Sequence, residues 1–165
     1  MSAQPRPRET LLTRQGHDAL LAELADLTAA GRSRIADELQ QARSLAGNLG
    51  ENVELLEVRR EQERLEARIA VLEDLLRRAR VIDESDAVPG LAGIGSEVDV
   101  EDLESGVGEV FRLVGSPEAA PVEGRISVES PVGRALVGHT SGDVVEVETP
   151  RGIRRLRVRA VRGPA

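Results

Sequence analysis

Two apolar stripes of helical period, parted by a short glycine-rich break, dictate most of what the first half of this chain can become. Leu20, Leu24, Leu27, Gly31, Ile35, Leu39 and Ala42 recur at spacings of four and three, which puts them on one stripe of a helix, close to a coiled-coil seam. Leu12-Thr13 supplies an N-terminal cap with an apolar residue before it. Gly31 weakens the helix centre by about 1 kcal/mol relative to Ala, a cost that close approach of a second helix would explain. The pattern breaks at Ala46-Gly47-Asn48-Leu49-Gly50, a turn, and Asn48-x-x-Glu51 has the form of a capping box for the next helix. That helix runs to about Arg80. Leu65, Ile69, Leu72 and Leu76 mark its seam, and Val58 and Gln62 continue it towards the turn. Glu57, Glu61, Glu63, Arg64, Glu66 and Arg68 cover the outside, several at i,i+3 or i,i+4 opposite-charge spacing. Two helices joined by so short a turn must lie antiparallel. About 30 residues make a rod roughly 45 Å long, too slender to bury its tip against its own domain.

The pattern shifts after Ile82. Asp83 to Gly95 carries acids, Pro89 and three glycines and reads as a linker. Beyond it the period is two. Val98 and Val100 alternate with acids; Val110 to Val114, with Phe111, make a second run; Ile126 and Val128 make a third. Val144, Val145 and Val147 precede a Thr149-Pro150-Arg151-Gly152 turn, then Ile153, Leu156, Val158 and Val161 follow, so the last two runs form a hairpin. Ser130-Pro131 opens a short helix with Ser as cap and Pro in the first helical position, ended by Gly138. The expected fold is α+β: an N-terminal antiparallel two-helix coiled-coil hairpin, then an antiparallel sheet with one short helix. The expected divisions are a flexible leader at 1–12, the hairpin at 13–82 with its tip near 47–51, a linker at 83–95 and the β domain at 96–162. Met1 to Glu9 reads as a loose leader and not as a signal peptide.

Composition narrows the function. Aromatics are 1% of the chain, with Phe111 the sole example, which disfavours a single-stranded nucleic-acid site built on stacked rings. There is no cysteine, so disulfides, thiolate metal sites and a Cys nucleophile are excluded. A net charge of -7 argues against a general or sequence-specific duplex-DNA binder. All 22 basic residues are Arg. No apolar run approaches membrane-spanning length. A cytoplasmic location fits these features.

Three segments carry a resemblance. LTRQGHDALLAEL (Leu12 to Leu24), ARSLAGNLGENVEL (Ala42 to Leu55) and GRISVESPVGRALVGHTSGDVVEVETPRG (Gly124 to Gly152) resemble the bacterial GreA/GreB transcript-cleavage factor family, and the likeness runs from Leu12 to Val161. The resemblance implies an accessory factor, not an enzyme, whose partner is bacterial RNA polymerase. It implies an FKBP-like C-terminal domain that docks on the rim of the polymerase secondary channel, with Ser127, Ser130, Pro131 and Arg134 as the rim contacts. The hairpin tip then enters the channel and meets the nascent RNA 3′ end indirectly. Tip acids of the family help hold a second Mg²⁺, shared with the polymerase, so that backtracked RNA is cut. Cleavage with two metals needs one weakly held ion beside a tightly held one, and Mg²⁺ keeps several waters, so one or two carboxylates suffice to recruit it. No tightly bound cofactor is implied, and the chain is expected to act as a monomer.

The tip departs from the family. Where the usual pattern is Gly-Asp-x-x-Glu-Asn, this chain reads Gly47-Asn48-Leu49-Gly50-Glu51-Asn52, after a stretch one residue longer than usual, and the usual Tyr is Leu55. An amide offers one neutral oxygen where a carboxylate offers two charged ones, so cleavage stimulation should be weakened or lost, and a hairpin that fills the channel without recruiting metal would inhibit. Glu51 has two readings, transient Mg²⁺ ligand and capping-box partner of Asn48. Arg59, Arg60, Arg64 and Arg68, with Arg59 and Arg60 foremost, are either RNA-facing or part of a solvated helix surface. His17 and His139 lack metal-ligand spacing. The acidic run from Glu97 to Glu104 reads as a solvated strand edge. Two other functions stay open: a peptidyl-prolyl isomerase-like protein, disfavoured by the lone Phe111, and a structural coiled-coil protein.

Overall fold

The computed structural model describes residues 9–45, 53–83 and 87–163. They fall into two units, one of Asp18–Arg78 and one that joins Met1–His17 to Ala79–Ala165.

The helical unit has two arms. Helix α1 (Arg14–Asp26), which starts in the other unit, passes through a π-helical turn (Leu27–Gly31) into α2 (Arg32–Leu45). Helix α3 (Val53–Arg77) is the second arm. Ile35, Leu65 and Ile69 are its buried centre, with Leu24, Leu27, Leu39 and Val58 packed round them. The π turn has a cause in the spacing. Six seam steps from Leu20 to Ala42 use 22 residues, whereas six heptad steps use about 21. The π turn takes up the extra residue and keeps Ile35 and Ala42 on the buried side, at 2% and 1% exposure. Thr28 Oγ1 donates to the Leu24 carbonyl at 2.7 Å where the turn widens. Gly31 has the close neighbour its position called for: a Cβ there would stand 3.0 Å from Leu65 Cδ1.

Ion pairs cross between the arms. Arg68 binds Glu23, Arg32 binds Glu66 and Arg34 binds Glu61, each at 2.7 Å. The partners run in opposite order along the two arms, which fixes the arms as antiparallel. Of the charges expected to pair along α3, Glu61, Glu66 and Arg68 thus reach across to the first arm, while Arg34 also makes an i,i+4 pair with Glu38 at 2.8 Å.

The other unit holds two sheets. Strand β1 (Thr10–Thr13) pairs in parallel with β2 (Ala79–Ile82). These are segments that the sequence pattern gives to the leader and to the hairpin's two ends; their alternation is too short to stand out beside a long helical period. The main sheet contains β3 (Glu97–Asp102), β4 (Gly108–Val114), β5 (Arg125–Ser127), β6 (Val144–Thr149) and β7 (Gly152–Arg162), in the order β5-β4-β3-β7-β6. The expected antiparallel arrangement holds for β3–β4, β3–β7 and β6–β7, but β4 and β5 run parallel. Two 3-10 turns, at Ser116–Glu118 and Pro121–Glu123, return the chain along the sheet edge and permit that direction. The acidic run from Glu97 is the centre of this sheet and not its edge. Two of its acids face arginines: Glu97 lies between Arg112 and Arg162, and Glu101 lies opposite Arg157.

Helix α4 (Pro131–Leu136) packs its Leu136 into the core formed by Val98, Val100, Leu113, Val147, Leu156 and Val158 among others. Ser130 caps it, accepting from the Gly133 amide at 3.0 Å, and Gly138 follows with φ +83°. Residues 91–95, read from sequence as linker, are bonded into the sheet unit. The Ala92 amide donates to His139 O and the Gly138 amide to Ala92 O, both at 2.8 Å, and Gly95 N donates to Leu113 O at 2.7 Å.

Candidate functional site

The connection between α2 and α3 spans 46–52, so Asn48, Glu51 and Asn52 lie outside the described residues, as does the proposed cap between Asn48 and Glu51. The arms that carry it are described. On α3, Arg59 and Arg60 are exposed on the turns next to the tip, and Val53 and Leu56 beside them are exposed apolar residues. Among the described residues, the ion pairs of the hairpin engage Arg32, Arg34, Arg68, Arg77 and Arg78 and not Arg59 or Arg60. Arg32, Arg34 and Arg68 thus close the rod across its arms, while Arg59 and Arg60 stay open to solvent. The same pairs set the carboxylates. Arg68 holds Glu23 below the usual range, first through its hydrogen bond, and Arg32 does so for Glu66.

The second group of candidates meets at the β5–α4 junction. Ser130 Oγ donates to Ser127 O at 2.7 Å, Ser127 Oγ accepts the Glu129 amide at 3.0 Å and lies 2.8 Å from Ser116 Oγ, and Ser116 also donates to Glu129 at 2.6 Å. Ser127 and Ser130 are thus held by the fold, while Pro131 and Arg134 point their exposed surfaces outward. His139 Nδ1 lies 3.2 Å from Asp143 Oδ2. Among the described residues, no group of three or more His, Asp or Glu is placed to hold a metal ion, and no helix is long and apolar enough to cross a membrane.

Two features escaped the sequence. Asp102, inside the acidic run, is buried, accepts the Glu104 and Ser105 amides at 2.9 and 3.0 Å, and takes Arg154 Nε at 2.8 Å. Glu118 reaches the start of α1. The only signal for the second was a gap: Thr13-x-x-Gly16 lacks the acid that a capping box would carry at its last position.

Two family profiles match the chain. "Transcription elongation factor, N-terminal" covers residues 10–81, and "Transcription elongation factor, GreA/GreB, C-term" covers 88–162. The chain is 42% identical over 155 residues to transcription elongation factor GreA of Clostridioides difficile, a match across 94% of this chain and 97% of that protein. The corresponding figures for GreA of Alkaliphilus oremlandii are 45% over 151 residues, 92% and 94%. Among solved structures, GreA factor homolog 1 (Gfh1) of Thermus thermophilus is 34% identical, with 94% of this chain and 100% of that one covered and a TM-score of 0.43.

Proposed function

The chain belongs to the GreA/GreB transcription elongation factor family, and we propose on that footing that it binds bacterial RNA polymerase as a monomer in the cytoplasm. It carries its hairpin tip into the secondary channel and modulates cleavage of backtracked transcripts, with stimulation weakened or lost so that occupancy inhibits. The supporting observation is the connection itself. Arg32, Arg34 and Arg68 join the two arms through carboxylates, and the segment between the arms reads Gly47-Asn48-Leu49-Gly50-Glu51-Asn52.

The donor set fits a shared ion and not a resident one. Glu51 brings one carboxylate and Asn48 one neutral carbonyl oxygen, too few hard ligands to hold Mg²⁺ unaided. When bound beside the polymerase's own ion, Mg²⁺ would polarise the scissile phosphate and activate water. Glu51 would orient and partly neutralise that ion; Asn48 would contribute little charge. Arg59 and Arg60, open beside the tip, would face the displaced RNA 3′ end through its phosphates. Pro131 and Arg134, the exposed pair at the β5–α4 junction, would contact the channel rim, with Ser127 and Ser130 shaping the helix start behind them.

The test is RNA cleavage in backtracked polymerase complexes with wild type and Asn48→Asp. The variant should cleave faster by on the order of tenfold, the effect of about 1.4 kcal/mol of metal binding, and should need less Mg²⁺. Equal cleavage by the two proteins would overturn the reading of the tip. Failure of wild type to associate with core polymerase would overturn the whole.

A further inference from the structure

A helix N-terminus leaves four amides without partners inside the helix. The common local remedy has two halves: the cap hydroxyl takes the amide three residues on, and an acid at that third position reaches back to the cap amide. Helix α1 has only the first half from its own sequence. Thr13 Oγ1 accepts the Gly16 amide at 2.9 Å, and Gly16 has no side chain to return. The second half comes from 105 positions away. Glu118 Oε2 accepts the Thr13 amide at 2.9 Å, and Glu118 Oε1 accepts the Thr13 hydroxyl. That second bond aims the hydroxyl proton at Glu118 and leaves a lone pair for Gly16. The same carboxylate also accepts the Gly115 amide at 3.3 Å.

Two glycines are fitted to this arrangement. A Cβ on Gly16 would overlap the Glu118 carboxylate, and a Cβ on Gly115 would overlap the Leu11 carbonyl. Neither glycine is among those with positive φ, so each is required for space and not for backbone conformation. The carboxylate's negative charge also sits where the helix dipole favours it. Thr13 is only 8% exposed, so water cannot readily replace the acid.

We infer that Glu118 is a positioning residue: it supplies from the β4–β5 connection the capping acid that α1 lacks, and so ties the root of the hairpin's first arm to that connection. The inference rests on the channel-insertion reading for its consequence. At the end of an arm about 45 Å long, ten degrees of slack at the root displaces the tip by about 8 Å, and far smaller errors suffice to spoil alignment at a reacting centre.

The test uses the full-length chain with Glu118→Ala and with the double variant Gly16→Glu, Glu118→Ala. The double variant restores a capping acid within α1 but not the tie to the β4–β5 turn. Three properties are compared with wild type: hydrogen exchange of the Thr13 and Gly115 amides, melting temperature, and the effect on backtracked complexes as a function of factor concentration. In Glu118→Ala both amides should exchange faster. The maximal effect at saturating factor should fall by on the order of tenfold or more, while the half-saturating concentration changes little. The double variant should regain melting temperature without regaining the maximal effect. Recovery of both would show that capping alone matters and overturn the inference, as would unchanged exchange of the two amides in Glu118→Ala. If wild type itself does not act on polymerase while Thr13 protection still depends on Glu118, the tie stands and the channel reading fails.

Discussion

The hairpin and the sheet unit solve the same problem with different means. The sheet unit buries ten residues in one cluster, seven of them at 0–1% exposure on interlocked strands and α4. Among the described residues, the hairpin's central cluster has three, of which Leu65 retains 9% exposure, with Leu20, Ala42 and Leu72 buried elsewhere along its arms, and arginine–carboxylate pairs whose side chains stay about half exposed cross between the arms as well. A slender hairpin offers only a narrow seam for apolar burial, so its core is smaller than that of the sheet. The larger share of apolar burial therefore resides in the sheet unit.

Truncation of the two cores should expose this contrast most strongly. Leu113, fully buried in the sheet unit, should cost about 3–5 kcal/mol as Leu113→Ala, near the upper part of the range for buried leucines. Leu65→Ala should cost about 2 kcal/mol, because a buried site in a thin two-helix seam relaxes into the space left. Urea midpoints for the two variants measure the difference. Equal losses would mean that the rod is as tightly packed as the sheet.

Glycine replacements sharpen the comparison at smaller scale. At Gly133 a Cβ would overlap the Ser127 carbonyl, a backbone group fixed by β5. Gly133→Ala should therefore cost about 1–3 kcal/mol, as overpacking does. At Gly31 the neighbour is the far end of a leucine side chain at 3.0 Å. Gly31→Ala gains up to about 1 kcal/mol of helix propensity, which offsets a small shift of Leu65, so its melting temperature should stay within a few degrees of wild type.

Acid offers a third contrast. The Ser105 amide, Arg154 and the Glu104 amide together lower the Asp102 carboxyl from 3.8 to about 2. A folded value below the unfolded one means that this stabilisation is fully present above about pH 4 and drains away as pH falls towards 2. Urea midpoints of wild type should drop across that window, and Asp102→Asn should reduce the drop while lowering the midpoint at neutral pH. An unaltered slope would show that Asp102 plays no part in acid sensitivity.

How far the sequence disclosed all this depends on whether the determinant was periodic. The helical seam, the Ser130-Pro131 cap and the β6–β7 hairpin are local patterns, and each was legible. The π turn was present as one surplus residue between Leu20 and Ala42, but spacings of four and three conceal such a surplus until the whole stretch is counted. Strands β1 and β2 were missed because four residues carry little alternation and their pairing joins positions 10–13 to 79–82. The parallel β4–β5 pair and the Glu118 tie are contacts between distant segments, to which no local rule points. Of the candidate site, sequence supplied the identity of Asn48 and Glu51 and the exposed character of Arg59 and Arg60; the spent state of Ser130 followed from its role as a cap.

The smallest expected effects belong to the cross-arm pairs. Arg68 engages Glu23 through two nitrogens at 2.7 and 2.9 Å, and Arg32 engages Glu66 at 2.8 and 2.7 Å. Such geometry is favourable, yet these side chains keep 38–48% of their exposure, so water and salt screen them. Arg68→Ala should cost about 0.2–1 kcal/mol at low salt, less than either leucine truncation. The more telling measurement is its salt dependence. With a Debye length near 10 Å at 0.1 M and about 3 Å at 1 M, the difference between Arg68→Ala and wild type should shrink as salt is raised, while that between Leu113→Ala and wild type should not. If the Arg68 effect persists undiminished at 1 M salt, its aliphatic stem is packing against the seam and the rod owes more to apolar contact than the open ion pairs imply.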